Sequence, residues 1–177
     1  MGLTQRSISE VKLNDNAYRF IIVSDTHSTL HVKISNLINE NTYVIHSGDI
    51  GNIDILNNLK SIAKGVFAVN GNNDIHANLP KIYSIATKFG KIIVEHGDVH
   101  SSLDYHGSLR ASYPGANFII YGHTHKHVSD MTTIPYIINP GSSASGDTWT
   151  NGGSSCAILE LSEANGISVE IKKFSAK

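Results

Sequence analysis

One cysteine, Cys156, is too few for an intramolecular disulfide in this 177-residue chain; it reads as a small buried hydrophobe in a strand. Lysine and arginine total 14 against 15 acidic residues, a formal net charge of -1, and they form no run. A dedicated nucleic-acid binder must neutralise a row of phosphates, so no specific nucleic-acid partner is expected. No segment is long and apolar enough to span a bilayer, and residues 1–20 hold no apolar run of signal-peptide length. Arg6 stands where N-myristoylation of Gly2 wants Ser or Thr. The expectation is a cytoplasmic protein with no membrane partner. Charged residues are few at 16%, but hydrophobic residues reach 40%, a globular rather than a disordered balance. The length suits one domain over 1–177, with 1–17 read as an N-terminal extension. What the chain has in quantity is histidine: ten, several beside Asp or Gly at the ends of apolar runs.

The first half alternates strand and helix patterns. Tyr18–Val23, Tyr43–His46 and Val66–Val69 are short apolar, β-branched runs. Between them, 31–39 carries helically spaced apolar residues, and Asp54 is placed to cap a helix running to about Ala63. This β-α-β-α-β order implies parallel strands with right-handed crossovers. The second half is β-rich. Ile82–Thr87 and Lys91–Glu95 flank a hairpin turn at 88–90, a helix is predicted over Leu103–Ser112, and Phe118–Tyr121 is a strand. The runs 128–134, 136–138, 155–161 and 167–174 read as mostly antiparallel strands. Ser142–Ser154, rich in Gly, Ser and Thr, is expected to be a mobile surface loop. The fold class is α/β, two β-rich layers flanked by helices.

Asp25 and His27, Asp49, Asn72, His96, and His123 with His125 each follow an apolar strand-like run. Ligands of open α/β sheets bind beyond the carboxyl ends of the strands, so five loops would bring these groups to one rim. Any one motif alone also fits an ordinary turn; the five together in this order do not fit coincidence. Carboxylate, imidazole and amide oxygen form a mixed donor set suited to manganese, iron, zinc or nickel rather than calcium or structural zinc. Two such ions need a bridging ligand, which an Asp can supply, and together they clamp phosphate and activate water.

The string Asp25-Thr26-His27, Gly48-Asp49, Gly71-Asn72-Asn73-Asp74, His96-Gly97 and Gly122-His123-Thr124-His125 resembles the signature of the calcineurin-like metallophosphoesterases. Asn139-Pro140-Gly141-Ser142 resembles their short bacterial and archaeal phosphodiesterase branch, to which the retromer subunit Vps29 is related. The resemblance covers about Phe20 to Ser142 and implies an αββα sandwich of two mixed sheets. It implies that Asp25, His27, Asp49 and His125 hold a first divalent transition-metal ion, manganese foremost. Asn72, His96 and His123 complete the second, and Asp49 bridges. Hydrolysis of phosphodiesters, or of phosphomonoesters, by metal-activated hydroxide is the implied reaction, on a small phosphorylated substrate. Asp74 matches an orienting Asp beside the catalytic position 73.

Two positions depart from the pattern. Asn73 replaces the usual His or Cys, and an amide cannot be a general acid near neutral pH. Asp98 stands where the short branch often has a second His, and a carboxylate there would repel phosphate or bind through water. His46 reads as a core residue; His76, His100, His106 and His127 read as surface residues near the motif loops, with contact to substrate as the alternative for any one of them. Trp149 is read as a loop anchor or subunit contact, with stacking on a substrate base as the alternative. A scaffold on the same fold is the competing reading, disfavoured because every ligand position is filled. Self-association as a homodimer is the expected assembly.

Overall fold

The computed structural model describes residues 7–75, 78–100, 103–151 and 153–175. Strand β1 (Ile8–Lys12) is followed by β2 (Ala17–Val23), helix α1 (Val32–Ser35), β3 (Tyr43–His46), α2 (Asp54–Ile62) and β4 (Gly65–Ala68). The second half holds β5 (Ile82–Thr87), β6 (Gly90–Glu95), α3 (Tyr105–Ser112), β7 (Phe118–Ile120), β8 (Val128–Asp130), β9 (Tyr136–Asn139), β10 (Ser154–Ser162) and β11 (Gly166–Phe174). Two mixed sheets result, in the orders β11-β10-β2-β3-β4 and β1-β5-β6-β7-β9-β8. Strands β2, β3 and β4 pair in parallel, as the alternating pattern requires. Strands β6, β7 and β9 also pair in parallel, while β10 runs antiparallel to both β2 and β11.

Side-chain alternation explains the layers. Phe20 and Ile22 of β2, with Ile45 of β3, turn inward and meet Ile92 and Val94 of β6 and Phe118 and Ile120 of β7. The intervening Ile21, Val23 and Val44 turn outward and pack under Ile34 of α1 and Leu56 and Leu59 of α2. On the far side Leu109 of α3 is buried against Ile93, Ile119 and Ile137. Burial on both faces is why these strands read as unbroken apolar runs rather than as alternating ones. The αββα arrangement is therefore the one expected. Cys156 is fully buried among the outward-facing residues of its sheet, and burial pushes its thiol up to about 12.

Several local expectations are corrected. The N-terminal extension carries a strand that the sequence reading did not mark: β1 pairs in parallel with β5 through Ile8↔Ile82 to Lys12↔Ala86. The helix expected over 31–39 is only Val32–Ser35. Asn36 caps it, and the next turn is taken over by side chains: Asn39 N donates to Thr42 Oγ1 and Thr42 Oγ1 to Asn39 O. Asp54 is in the first turn of α2 rather than at its cap, and Asn52 Oδ1 accepts from its N–H. The helix expected from Leu103 starts at Tyr105, capped by Asp104, whose carboxylate accepts from Gly107 N at 2.9 Å. The strand read over 128–134 stops at Asp130, whose Oδ1 accepts from both the N–H and hydroxyl of Thr132.

Candidate metal centre

Each parallel strand of the central layers ends one or a few residues before a chemical group. The loop after β2 carries Asp25 and His27, that after β3 Asp49, that after β4 Asn72, that after β6 His96, and that after β7 His123 and His125. Backbone bonds lash these loops together: Asp25 N donates to Gly48 O, His27 N to Asp49 O, and Gly122 N to His96 O. Asp25, His27, Asp49, His123 and His125 all have left-handed backbone, with φ of 51, 42, 53, 63 and 56°. That region is uncommon for residues with a Cβ. Here it turns each side chain back toward a shared space. Two glycines permit the approach. A Cβ on Gly71 would lie 2.1 Å from Asp49 Oδ1, and one on Gly122 would lie 1.9 Å from Ser24 Oγ.

All seven residues converge, in two sets with Asp49 between them. His27 Nε2 is 3.4 Å from His125 Nε2, which is 3.4 Å from Asp25 Oδ1. His96 Nε2 and His123 Nδ1 lie 3.0 and 3.1 Å from Asn72 Oδ1. Asp49 reaches both sets, with Oδ2 at 4.0 Å from His27 and Oδ1 at 3.4 Å from His96. Asp25 and His96 are likewise within 4.8 Å of Asp49, donor atom to donor atom.

The electrostatics are those of a site short of positive charge. The carboxylate of Asp25 pushes His125 up to about 9; burial opposes this and Asp147 adds to it. Burial would raise Asp49, but bonds from His96 and from both N–H groups of Asn73 hold it well below the usual carboxylate range. Burial would also lower His96, and its contacts with Asp49 and Asp25 outweigh that, leaving it raised. Asp25 Oδ1 is buried and accepts no hydrogen bond among the described residues. A buried carboxylate oxygen without a donor, facing imidazole nitrogens and a second buried carboxylate, is what a divalent cation satisfies. The donor set therefore fits a metal, and its carboxylate, imidazole and amide make-up fits a transition metal.

The two residues read as catalytic, Asn73 and Asp74, both make structural contacts at the site. Asn73 Nδ2 donates to Asp49 Oδ2 at 2.6 Å and its backbone N–H to Asp49 Oδ1 at 2.9 Å, so Asn73 orients a ligand. Asp74 accepts from Ile50 N, Gly51 N and Gly71 N at 2.8, 3.1 and 2.9 Å. These bonds clamp the loops after β3 and β4 together.

Further positioning residues escaped the sequence reading. Asp147 Oδ2 accepts from His125 Nδ1 at 2.7 Å, which leaves Nε2 free to face the other ligands. The only sign was an Asp in a Gly/Ser-rich stretch, with nothing to say which loop it would meet. That stretch is exposed at Ser145, Gly146, Thr148, Trp149 and Asn151, as a surface loop would be, but its start is anchored. Ser142, Ser143 and Ala144 are buried, Ser142 Oγ donates to Asp25 O, and Ser143 N donates to Ser24 O. Asn139 Nδ2 donates to Gly122 O at 2.8 Å, steadying the loop that carries His123.

Of the other histidines, His46 is fully buried as expected, accepting from Gly48 N and bonding Thr26 Oγ1, and burial lowers it to about 4. His127 is exposed as expected, and His76 lies outside the described residues. His100 is not a surface residue. Its Nε2 is paired with the buried Glu95 and its Nδ1 lies 2.9 Å from Ser108 Oγ, so both ring nitrogens are engaged. His106 is half-buried, 3.1 Å from the hydroxyl of Tyr121.

A cavity of ≈ 520 Å³ opens over the centre, walled by the ligands His27, Asp49, Asn72, His123 and His125 and by Asn73, His100, Tyr105, Thr124 and Trp149. Asp98 is not among these wall residues. No helix among the described residues is long and apolar enough to cross a membrane.

The chain is similar to proteins of known class. Residues 18–164 match the model of the calcineurin-like phosphoesterase superfamily domain. A probable metallophosphoesterase of Methanocaldococcus jannaschii is 34% identical over 128 residues, 68% of this chain and 66% of that protein, just short of two thirds of its length. A probable metallophosphoesterase of Methanothermobacter thermautotrophicus is 28% identical over 68% of this chain and 74% of that protein. The structure of vacuolar protein sorting 29 from Cryptosporidium parvum superposes with a TM-score of 0.72 at 21% identity, over 91% of this chain and 100% of that one. With the motif residues gathered at one rim and the family match spanning most of the sequence, this chain belongs to the calcineurin-like phosphoesterase superfamily.

Proposed function

We propose that the protein is a dinuclear metal-dependent phosphoesterase that hydrolyses phosphodiesters or phosphomonoesters. The observation that carries the reading is the convergence of seven donors in two sets with Asp49 between them. Asp25, His27, His125 and Asp49 would hold one divalent ion, and Asp49, Asn72, His96 and His123 a second. Manganese, iron, zinc and nickel all suit such donors. Bound ions of this kind activate water as the nucleophile and offset the charge of the phosphoryl group.

The chain's own residues set up the rest. Asp74 fixes the two loops that carry Asp49 and Asn72, Asn73 orients Asp49, and Asp147 holds the tautomer of His125. The described walls of the cavity offer no free acid to the leaving group. Tyr105 donates its hydroxyl proton to Gly97 O, both nitrogens of His100 are engaged, and Asn73 is an amide. A leaving group that is stable as an anion is therefore favoured.

The test is metal content by elemental analysis together with hydrolysis of an aryl phosphodiester in the presence of Mn²⁺. Asp49→Asn should lower occupancy of both ions and remove nearly all activity. A variant that keeps full metal content and activity would sink the bridging assignment. The likeness to vacuolar protein sorting 29 also allows a scaffold on this fold; a metal-loaded protein with no hydrolysis of any activated ester would favour that reading.

A further inference from the structure

The single tryptophan of the chain, Trp149, is 86% exposed, although it stands beside the buried metal-ligand cluster. Its place is built, not incidental. It lies on a short 3₁₀ turn, Thr148–Thr150, whose N-cap is Asp147. One oxygen of that carboxylate accepts from Trp149 N at 2.8 Å and the other from His125 Nδ1 at 2.7 Å. Thr150 Oγ1 donates to Asp147 O at 3.0 Å and tightens the same turn. A single buried carboxylate thus sets the position of the indole relative to a ligand of the metal centre. The indole does not lie flat on that ligand: the rings of His125 and Trp149 are 6.0 Å apart and inclined by 56°.

Trp149 walls two cavities at once. One is the ≈ 520 Å³ space over the ligands; the other, ≈ 420 Å³, is bounded by His27, His125 and the small residues Thr29, Ala144, Ser145 and Gly146. His27 and His125 are common to both, so a phosphoryl group held at the ligands has the indole on its flank. Neither cavity has a Lys or Arg in its described wall. A substituent bearing further phosphates would find no counter-charge there. A neutral flat ring would find the π-face of an indole that is otherwise spent on water.

We propose that Trp149 is a stacking platform for a planar aromatic substituent of the phosphoester, a nucleobase or an aryl ring. This rests on the phosphoesterase reading and narrows its substrate class. Stacking of one ring on an aromatic side chain changes affinity by about 5- to 150-fold. The backbone bond from Asp147 to Trp149 N does not depend on the side chain at 149, so Trp149→Ala and Trp149→Phe should both fold and load metal.

The experiment uses zinc-loaded protein, because a d¹⁰ ion leaves tryptophan emission unquenched. Two ligand pairs without a cleavable phosphoester bond are titrated: phenylphosphonate against methylphosphonate, and the 5′-methylenephosphonate isostere of adenosine 5′-monophosphate against that of ribose 5-phosphate. Affinity is measured by calorimetry and Trp149 emission by excitation at the red edge, where the seven tyrosines stay dark. The expected result is tighter binding of at least one ring-bearing ligand, by the factor above, with a change in emission. Trp149→Ala should abolish that preference and Trp149→Phe should keep part of it. Preference for phenylphosphonate alone identifies an aryl ring, and preference for the nucleotide a base. Equal affinities within both pairs, or a preference that survives Trp149→Ala, overturn the proposal while leaving the phosphoesterase reading intact. If methylphosphonate and inorganic phosphate also fail to bind, the phosphoesterase reading falls and the platform with it.

Discussion

Replacing Asp147 by Asn should weaken metal binding without touching any metal ligand. The carboxylate makes two hydrogen bonds with two different oxygens, to His125 Nδ1 at 2.7 Å and to Trp149 N at 2.8 Å. Both partners are donors, and Asn has a single acceptor oxygen. The variant must leave one donor unmet or turn its NH₂ toward it. The pair is well shielded, with side chains only 14% and 4% exposed, so the charge on Asp147 is poorly screened. That charge also makes the imidazole a better donor to a cation through Nε2. Loss of such an orienting partner typically weakens metal affinity about 10- to 100-fold, or about 1.4–2.7 kcal/mol. The assay is a competitive zinc titration of metal-free protein against a chromophoric chelator, with far-UV circular dichroism to confirm the fold. An unchanged dissociation constant in a folded Asp147→Asn protein would refute the argument, because His125 would then be oriented without help.

Three other outcomes follow from the same site and its support. In metal-free protein Asp25 holds His125 up to about 9, so at neutral pH the ligand starts protonated and metal must displace the proton. Apparent affinity should rise by up to about tenfold per pH unit below 9, and calorimetry in buffers of different ionisation enthalpy should show proton release; buffer-independent heats would contradict this. His46 is neutral in the fold until about pH 4, while the unfolded chain takes up its proton near 6.5. Stability of the metal-free protein should therefore fall as pH drops through that window, with a contribution from His46 of up to about 3 kcal/mol. Urea unfolding at both ends of the window should show a shallower drop in His46→Gln than in wild type. Finally, kcat/KM should depend steeply on leaving-group pKa, because general-acid help worth about 10²–10⁴-fold is missing from the described cavity wall. Asn73→His should flatten the slope if its imidazole can turn from Asp49 to the leaving oxygen, and a shallow wild-type slope would show that protonation comes from a group outside these walls.

The layers were readable in the sequence because the central strands of both sheets are buried on both faces. Runs such as Phe20–Val23 and Phe118–Ile120 must be strands in a sandwich, whatever their partners. The ligand positions were readable for a related reason: a parallel strand ends at the rim, and the group that follows it points into the rim. What depended on contacts far apart in sequence was not readable. Asp147 meets His125 across 22 residues, Asp74 meets Ile50 across 24, and Ser142 meets Asp25 across 117. None of these pairings has a local period. The same limit placed His100 on the surface, although its partner Glu95 is only five residues away. Glu95 ends an apolar strand, and nothing in the run Lys91–Glu95 marks its last residue as fully buried. Composition misjudged the start of 142–154 for a different reason: Ser142 and Ser143 are small enough to pack against the Ser24–Asp25 backbone, which is a property of the space and not of the loop.

The left-handed residues explain why so much polar structure surrounds so few ligands. Five ligand-bearing residues occupy a region that costs a residue with a Cβ roughly 1–2 kcal/mol. Summed over five positions, this approaches the whole stability of a small domain, so the loops cannot hold this shape by themselves. The polar contacts found around them are placed to do so. Asp74 binds three amides across two loops, and the neutral imidazole of His46 accepts from Gly48 N and bonds Thr26. Asn139 bonds Gly122 O, and Ser142 and Ser143 bond the Ser24–Asp25 backbone. Apart from the bond between Asp74 and Gly71, each of these contacts ends within two residues of a left-handed donor residue. The strain is thus offset at the point where it arises, and the donor side chains are held in their two sets by the protein's own contacts. A site assembled in this way need not reorganise on binding, which is the condition under which fixed charges act most strongly on a reacting phosphoester.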